Sequence, residues 1–158
     1  MRCNPLFSFP AFAQESRRTN LITFKDRQNI SLILRDLGAD RPDETMILIA
    51  EDNADFRRMM RSLVEEIDAD VIEAGDGCSA FEAFERHLPD WVLMDINMKP
   101  VDGLSAMREI LERHPEARII IVSHHQDAQT RATALAMGAH AFVGKEDLMS
   151  VRDLIRKK

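Results

Sequence analysis

The chain has 158 residues, of which 45% are hydrophobic and 30% are charged, a composition typical of one globular domain. Its formal net charge of −6 and the lack of a basic cluster argue against nucleic acid as a direct partner. Cys3 and Cys78 do not have the spacing of zinc ligands, and no apolar run reaches the roughly 18 residues that a membrane span needs. We therefore expect a cytoplasmic protein without a membrane span.

The first 45 residues do not show the strand and helix alternation of the rest of the chain. Apolar residues recur there at helical spacing before Gly38, namely Ile30, Ile33, Leu34 and Leu37. Residues 1–45 are therefore predicted to be an extension that is flexible or carries one short helix, although a true start at Met46 fits equally well. The folded domain is predicted to span residues 46–158.

From Met46 onward, short apolar runs alternate with amphipathic segments. The predicted strands are Met46 to Ala50, Val71 to Ala74, Trp91 to Met94, Arg118 to Val122 and Ala139 to Gly144. The first predicted helix, Ala54 to Ile67, has an apolar face of Phe56, Met59, Met60, Leu63, Val64 and Ile67. The second predicted helix carries Phe81, Phe84 and Leu88, and the third begins at Asp102-Gly103. The fourth runs from Asp127 to a cap at Gly138, and the fifth runs from Leu148 to Arg156. This alternation implies a doubly wound α/β fold with a five-stranded parallel sheet.

Polar residues with chemical uses follow the ends of four predicted strands. Glu51 and Asp52 follow the first strand and Asp95 follows the third, at the sheet edge where α/β proteins bind ligands. Converging carboxylates repel one another unless a hard cation lies among them, and Mg²⁺ suits this set. Ser123 and Lys145, after the fourth and fifth strands, can donate to phosphoryl oxygens. The pattern predicts a site for Mg²⁺ and a phosphoryl group.

Each of these residues also has an ordinary structural interpretation. Asp95 could cap a loop, Glu51 and Asp52 could cap the following helix, Ser123 could cap the next one, and Lys145 could be a solvated surface lysine. Their joint occurrence at four strand ends is what these interpretations leave unexplained.

Residues 46–158 resemble a response-regulator receiver domain of two-component signalling, of the chemotaxis-regulator type. The resemblance rests on five motifs: Ile47-Leu48-Ile49-Ala50-Glu51-Asp52-Asn53, Met94-Asp95-Ile96-Asn97-Met98, Asp102-Gly103, Ile121-Val122-Ser123 and Phe142-Val143-Gly144-Lys145. It implies a flavodoxin-like (βα)5 sandwich with strand order 2-1-3-4-5. It also implies that Asp95 is phosphorylated, and that Glu51, Asp52, Asp95 and the backbone carbonyl of Asn97 hold Mg²⁺.

By the same resemblance, Ser123 and Lys145 bind the phosphoryl group, and Ser123 and Phe142 are the switch residues. The phosphoryl donor would be a histidine kinase or a histidine phosphotransfer protein. Because the chain ends after the last helix, we expect a stand-alone receiver that acts on another, unidentified protein and catalyses only its own phosphoryl transfer and hydrolysis. A homodimer remains open.

The sequence departs from the common pattern at several positions. Lys99-Pro100 replaces the usual proline and variable residue, and His124 replaces a small residue. By the resemblance, His125 and Asn97 occupy positions that tune the access of water to the acyl phosphate. Together with the two departures, this makes Lys99, His124 and His125 candidate modulators of phosphate lifetime. Glu146 replaces a common proline, so the bond between Lys145 and Glu146 should be trans.

Two other functions compete with this interpretation. One is a phosphate-independent protein-binding scaffold with the same fold, which the intact acidic set disfavours. The other is a Mg²⁺-dependent aspartyl phosphatase of the haloacid dehalogenase type. That family has a second aspartate two residues after the first, where this chain has Asn97.

Overall fold

The computed structural model describes residues 45–67, 69–124 and 127–156. The predicted N-terminal extension lies outside the described residues except for Thr45, which begins the first strand one residue earlier than predicted. None of the helices in the described ranges combines the length and the apolar character that a membrane span requires.

Five parallel strands form one sheet in the order β2-β1-β3-β4-β5, so the predicted fold class and strand order are confirmed. The strands are β1 (Thr45–Ala50), β2 (Ala69–Ala74), β3 (Trp91–Met94), β4 (Ile119–Ser123) and β5 (Ala141–Gly144). The helices are α1 (Ala54–Glu65), α2 (Gly77–His87), α3 (Gly103–Arg113), α4 (Ala128–Ala136) and α5 (Met149–Arg156), with a 3-10 turn at Lys145–Asp147 before α5.

The central strands are apolar on both faces because helices cover both sides of the sheet. One face packs against α2, α3 and α4 through residues that include Leu48, Val92, Ile121, Phe84, Met107 and Ala134. The other face packs against α1 and α5 through residues that include Ile49, Leu93, Val122, Met60, Val64 and Ile155. Successive strand residues alternate between these two cores, which accounts for the unbroken apolar runs in the sequence.

The ends of the helices follow local sequence signals closely. Asn53, Asp76, Asp102 and Asp127 cap α1 to α4 by accepting hydrogen bonds from backbone amides of the first turn. Gly138 has a φ of +106° just beyond α4, as predicted for a left-handed terminus.

The predicted apolar face of α1 is wrong at one position. Met59 is 48% exposed, whereas Met60 and Val64 are fully buried against the sheet. Residues 60 and 64 lie one turn apart on the buried face, and a step back of about 100° carries Met59 off that face. An apolar residue type therefore does not by itself place a side chain in the core.

The start of α3 packs directly on the backbone of Asp95. Gly103 donates its amide hydrogen to the Ile96 carbonyl at 2.9 Å. A Cβ at position 103 would overlap the Asp95 carbonyl oxygen and lie 3.1 Å from Met94 Cγ. The absence of a side chain at Gly103 therefore allows the loop after β3 to take its observed path.

Substituting Gly103→Ala is therefore expected to lower the free energy of unfolding by about 3 kcal/mol, because the new methyl group forces the Asp95 backbone or α3 to move. Gly75→Ala is the matched control, since a Cβ there meets nothing within 4 Å. Its effect should stay within about 0.5 kcal/mol. Urea unfolding followed by circular dichroism measures both, and equal costs at the two positions would contradict the packing argument.

Candidate functional site

The parallel register brings the predicted site residues to one edge of the sheet. Ala50 pairs with Met94, and the amide of Asp95 donates to the Ala50 carbonyl at 2.9 Å. Glu51 and Asp95 therefore leave neighbouring strands side by side. On the other half of the sheet, Ser123 pairs with Gly144, which directly precedes Lys145. Ser123 is the last residue of β4 rather than the first residue after it.

Three carboxylates converge at this edge. One oxygen each from Glu51, Asp52 and Asp95 lies within 4.8 Å of the others. Glu51 and Asp95 are only 1% and 3% exposed, whereas Asp52 faces solvent. The buried Asp95 Oδ1 has no hydrogen-bond partner among the described residues. The three carboxylates together are a suitable donor set for a hard divalent cation such as Mg²⁺.

The ammonium group of Lys145 lies inside this cluster. Its side chain is 5% exposed, and Nζ donates to Glu51 Oε2 at 2.6 Å. Nζ is also 3.3 Å from Asp95 Oδ1, close enough for an ion pair but without hydrogen-bond geometry. The Glu51 carboxylate also accepts a hydrogen bond from the amide of Asn53 at 3.1 Å. The buried ammonium group thus lies within ion-pair distance of two buried carboxylates, and it donates a hydrogen bond to Glu51.

Burial raises the pKa of Glu51, and the neighbouring Asp95 raises it further. The hydrogen bond from Lys145 lowers the pKa, but the net result is still above the ordinary value. Burial of the carboxylate is thus the main cause of the raised pKa, and the hydrogen bond from Lys145 offsets it only in part.

The helix-capping interpretations of the acidic residues do not hold. Asn53 Oδ1 caps α1 by accepting from the amides of Asp55 and Phe56, both at 3.0 Å, so Glu51 and Asp52 are not the cap. The capping role is filled by Asn53, which leaves the Glu51 and Asp52 carboxylates for another purpose.

Ser123 is not a helix cap, and Lys145 is not a solvated surface lysine. Asp127 caps α4, and Ser123 is completely buried. Lys145 is buried rather than solvated. A buried lysine is uncommon unless it is paired, as it is here with Glu51.

The remaining predicted residues differ in their exposure to solvent. Asn97, Lys99 and His124 are exposed, and His125 lies outside the described residues. Phe142 is 4% exposed, and the guanidinium carbon of Arg131 lies 5.7 Å from its ring centroid. The structure thus places the predicted switch ring in the core beneath α4.

The backbone of the loops confirms one prediction and adds one observation. Among the described residues, the only cis peptide bond is Lys99-Pro100. The bond between Lys145 and Glu146 is therefore trans, as predicted.

Two residues at the site were missed by the sequence analysis. Arg57 donates from Nη1 to the Glu51 carbonyl at 2.6 Å and from Nε to Glu73 Oε2 at 3.0 Å, so it ties the end of β1 to β2. The Phe56 ring centroid lies 4.4 Å from Lys145 Nζ. The signal for Arg57 was its place one turn beyond the cap Asn53, from which a long side chain can reach back to the strand end. Phe56 was assigned only to the apolar face of α1.

The raised pKa of Glu51 predicts a pH effect on stability in the absence of divalent metal. The folded protein binds a proton on the Glu51 carboxylate more tightly than the unfolded chain does. The free energy of unfolding therefore increases as the pH falls through the folded-state pKa of Glu51 toward the ordinary value of 4.5. Urea unfolding at about pH 7 and about pH 5 should show wild type gaining free energy of unfolding relative to Glu51→Gln at the lower pH. A difference between the two proteins that does not change with pH would contradict the assignment.

Comparison with known proteins agrees with this geometry. The profile of a family described as the response regulator receiver domain matches residues 47–156. The chemotaxis protein CheY of Bacillus subtilis is 36% identical over 100 residues, which cover 63% of this chain and 83% of CheY. The transcriptional regulatory protein DegU of Brevibacillus brevis is 35% identical over 106 residues, which cover 66% of this chain but only 45% of DegU.

Solved structures show the same architecture. The signal receiver domain of the response regulator NarL from Mycobacterium tuberculosis superposes with a TM-score of 0.64 at 25% identity, covering 74% of this chain and 100% of that one. The response regulator domain of CheB from Thermotoga maritima superposes with a TM-score of 0.66 at 26% identity, covering 72% and 95% of the two chains. The chain therefore belongs to the response regulator receiver domain family of two-component signalling.

Proposed function

We propose that Asp95 accepts a phosphoryl group from a histidine kinase or a histidine phosphotransfer protein, and that the chain works as a receiver in a cytoplasmic phosphorelay. The observation that carries this proposal is the buried Asp95 Oδ1, which has no hydrogen-bond partner among the described residues and lies 3.3 Å from Lys145 Nζ. An unpaired carboxylate oxygen beside a buried cation is prepared to react with, and then to hold, an anionic group.

The acidic cluster supports Mg²⁺ as the cofactor. Glu51, Asp52 and Asp95 would hold the ion, and the backbone carbonyl of Asn97 would complete the ligand set. Asp52 is solvent-exposed, which suits an ion that keeps part of its water shell. When bound, Mg²⁺ supplies positive charge that offsets the carboxylates and the phosphoryl oxygens.

The transfer itself is a displacement at phosphorus. An oxygen of the Asp95 carboxylate forms a bond to the phosphorus of a phosphohistidine on the partner, the phosphorus–nitrogen bond breaks, and the released imidazole keeps the electron pair and takes a proton from solvent. Lys145 stabilises the negative charge on the phosphoryl oxygens, since its Nζ already lies beside Asp95. The product is an acyl phosphate on Asp95.

The signal then passes through the sheet edge. A phosphoryl group on Asp95 adds charge and acceptor oxygens next to the strand end that carries Ser123. We infer that Ser123 contacts this group and that Phe142 repacks beneath α4, changing the surface of α4, β5 and α5. A downstream protein, or a second copy of the chain, would bind that surface. Lys99, His124 and His125 are the proposed modulators of phosphate lifetime.

The metal proposal predicts that one aspartate variant loses its stabilisation by Mg²⁺ and that a control variant keeps it. Mg²⁺ at ten times its dissociation constant should stabilise wild type by about 1.4 kcal/mol, read as a rise in Tm. Asp52→Asn should unfold at an equal or higher Tm without metal, because a repelling carboxylate is removed, and should lose the Mg²⁺ response. Asp55→Asn is the control, since Asp55 is exposed and pairs with Arg58 away from the cluster. A full Mg²⁺ response in the Asp52 variant would contradict the ligand assignment.

The phosphoacceptor is tested by intact mass spectrometry after incubation with Mg²⁺ and acetyl phosphate. Wild type should gain one phosphoryl group that hydroxylamine removes, and Asp95→Asn should gain none. Asp102→Asn is the matched control because asparagine caps α3 as well as aspartate does, and it should be phosphorylated like wild type. A folded wild type that binds Mg²⁺ but accepts no phosphoryl group, even from a histidine kinase, would favour the scaffold interpretation.

A further inference from the structure

We propose that Phe56 is a positioning residue for Lys145, holding its ammonium group toward Glu51 and away from direct hydrogen bonding with Asp95. The contact itself is a feature of the folded protein. Its consequence for phosphoryl transfer rests on the proposed function, so the two parts are tested separately.

Phe56 reaches the cluster from the first turn of α1. Its amide donates to the cap residue Asn53 at 3.0 Å, which fixes the point where the side chain leaves the helix. From there the ring centroid lies 4.4 Å from Lys145 Nζ and 6.0 Å from the ring centroid of His124, with the two rings inclined at 53°. The half-buried ring thus lies near both the ammonium group and the exposed side chain of His124.

The ammonium group has three donors to satisfy in a buried place. Glu51 Oε2 accepts one hydrogen bond at 2.6 Å, and Asp95 Oδ1 is near at 3.3 Å without hydrogen-bond geometry. The face of an aromatic ring attracts a cation through its quadrupole and carries no net charge. Phe56 can therefore stabilise Lys145 without adding a fourth negative group to three carboxylates that already repel one another.

This arrangement explains why Asp95 Oδ1 has no hydrogen bond although a cation lies beside it. Glu51 and the Phe56 ring together hold Nζ just beyond hydrogen-bond geometry to Asp95. The lone pairs of Oδ1 then stay available to attack phosphorus, and the ammonium group remains close enough to meet the incoming phosphoryl oxygens. Without the ring, we expect Lys145 to close onto Asp95 and to compete with the reaction.

The contact is tested first, by a double-mutant cycle on the folding equilibrium in metal-free buffer. Phe56→Leu should lower the folding equilibrium constant about fivefold more in wild type than in a Lys145→Met background, because the cation–π interaction is present only in wild type. Phe56→Tyr should keep the coupling. Equal effects of Phe56→Leu in both backgrounds would overturn the proposal and leave Phe56 as a core residue, since the cycle removes costs that do not involve Lys145.

The positioning role is tested by the rate of phosphorylation with acetyl phosphate at saturating Mg²⁺. Phe56→Leu should slow the reaction about fivefold and Phe56→Tyr less than about twofold, while the Mg²⁺ dissociation constant from Tm titration changes less than about twofold in both. Leu63→Ala is the control for packing, because Leu63 lies on α1 against the same core as Phe56 and has no aromatic ring to offer Lys145. It should lower Tm without changing the rate.

Two results would overturn the positioning role. One is equal slowing by Phe56→Leu and Phe56→Tyr, and the other is a rate loss in Leu63→Ala as large as that in Phe56→Leu. If wild type accepts no phosphoryl group at all, the proposed function fails, but the folding cycle still decides whether Phe56 holds Lys145.

Discussion

The site depends on one buried ammonium group, that of Lys145. Glu51 and Asp95 are almost fully buried carboxylates on adjacent strands, and Lys145 lies within ion-pair distance of both. Removing a partner from a buried ion pair leaves an uncompensated charge, which costs several kcal/mol. The charge is balanced only in part, however, because Asp52 adds a third carboxylate. This excess of negative charge is what makes the cluster chemically suited to a divalent cation.

The sheet supplies the geometry that this charge cluster requires. Parallel strands in the order β2-β1-β3-β4-β5 place the ends of β1 and β3 side by side in the middle, and bring β5 close enough for Lys145 to reach them. Two backbone contacts refine the arrangement. Gly103 lets α3 begin against the Asp95 carbonyl, and Arg57 holds the Glu51 carbonyl while it pairs with Glu73 on β2. The loops that carry the carboxylates are thus held by contacts outside the cluster.

Much of the fold was predictable because its signals are local. Strand runs, the helix start at Asp102-Gly103 and the left-handed Gly138 depend on residues a few positions apart, and the structure confirms them with boundary shifts of one to a few residues. The failures are also instructive. Met59 was assigned to the buried face of α1 by its residue type, but the helix turns it outward. The cap of α1 is Asn53, so the local explanation for Glu51 and Asp52 disappears once the helix start is known.

That carboxylates, a hydroxyl and a lysine lie at one sheet edge follows from the order of residues in the chain, since parallel strands separated by helices must end on the same side. How these groups interact depends on the packing of distant elements. Lys145 prefers Glu51, 94 residues away along the chain, to Asp95, and the Phe56 ring covers the same ammonium group. Such choices depend on differences of less than an ångström in the packing of distant elements, which no local pattern of residues encodes.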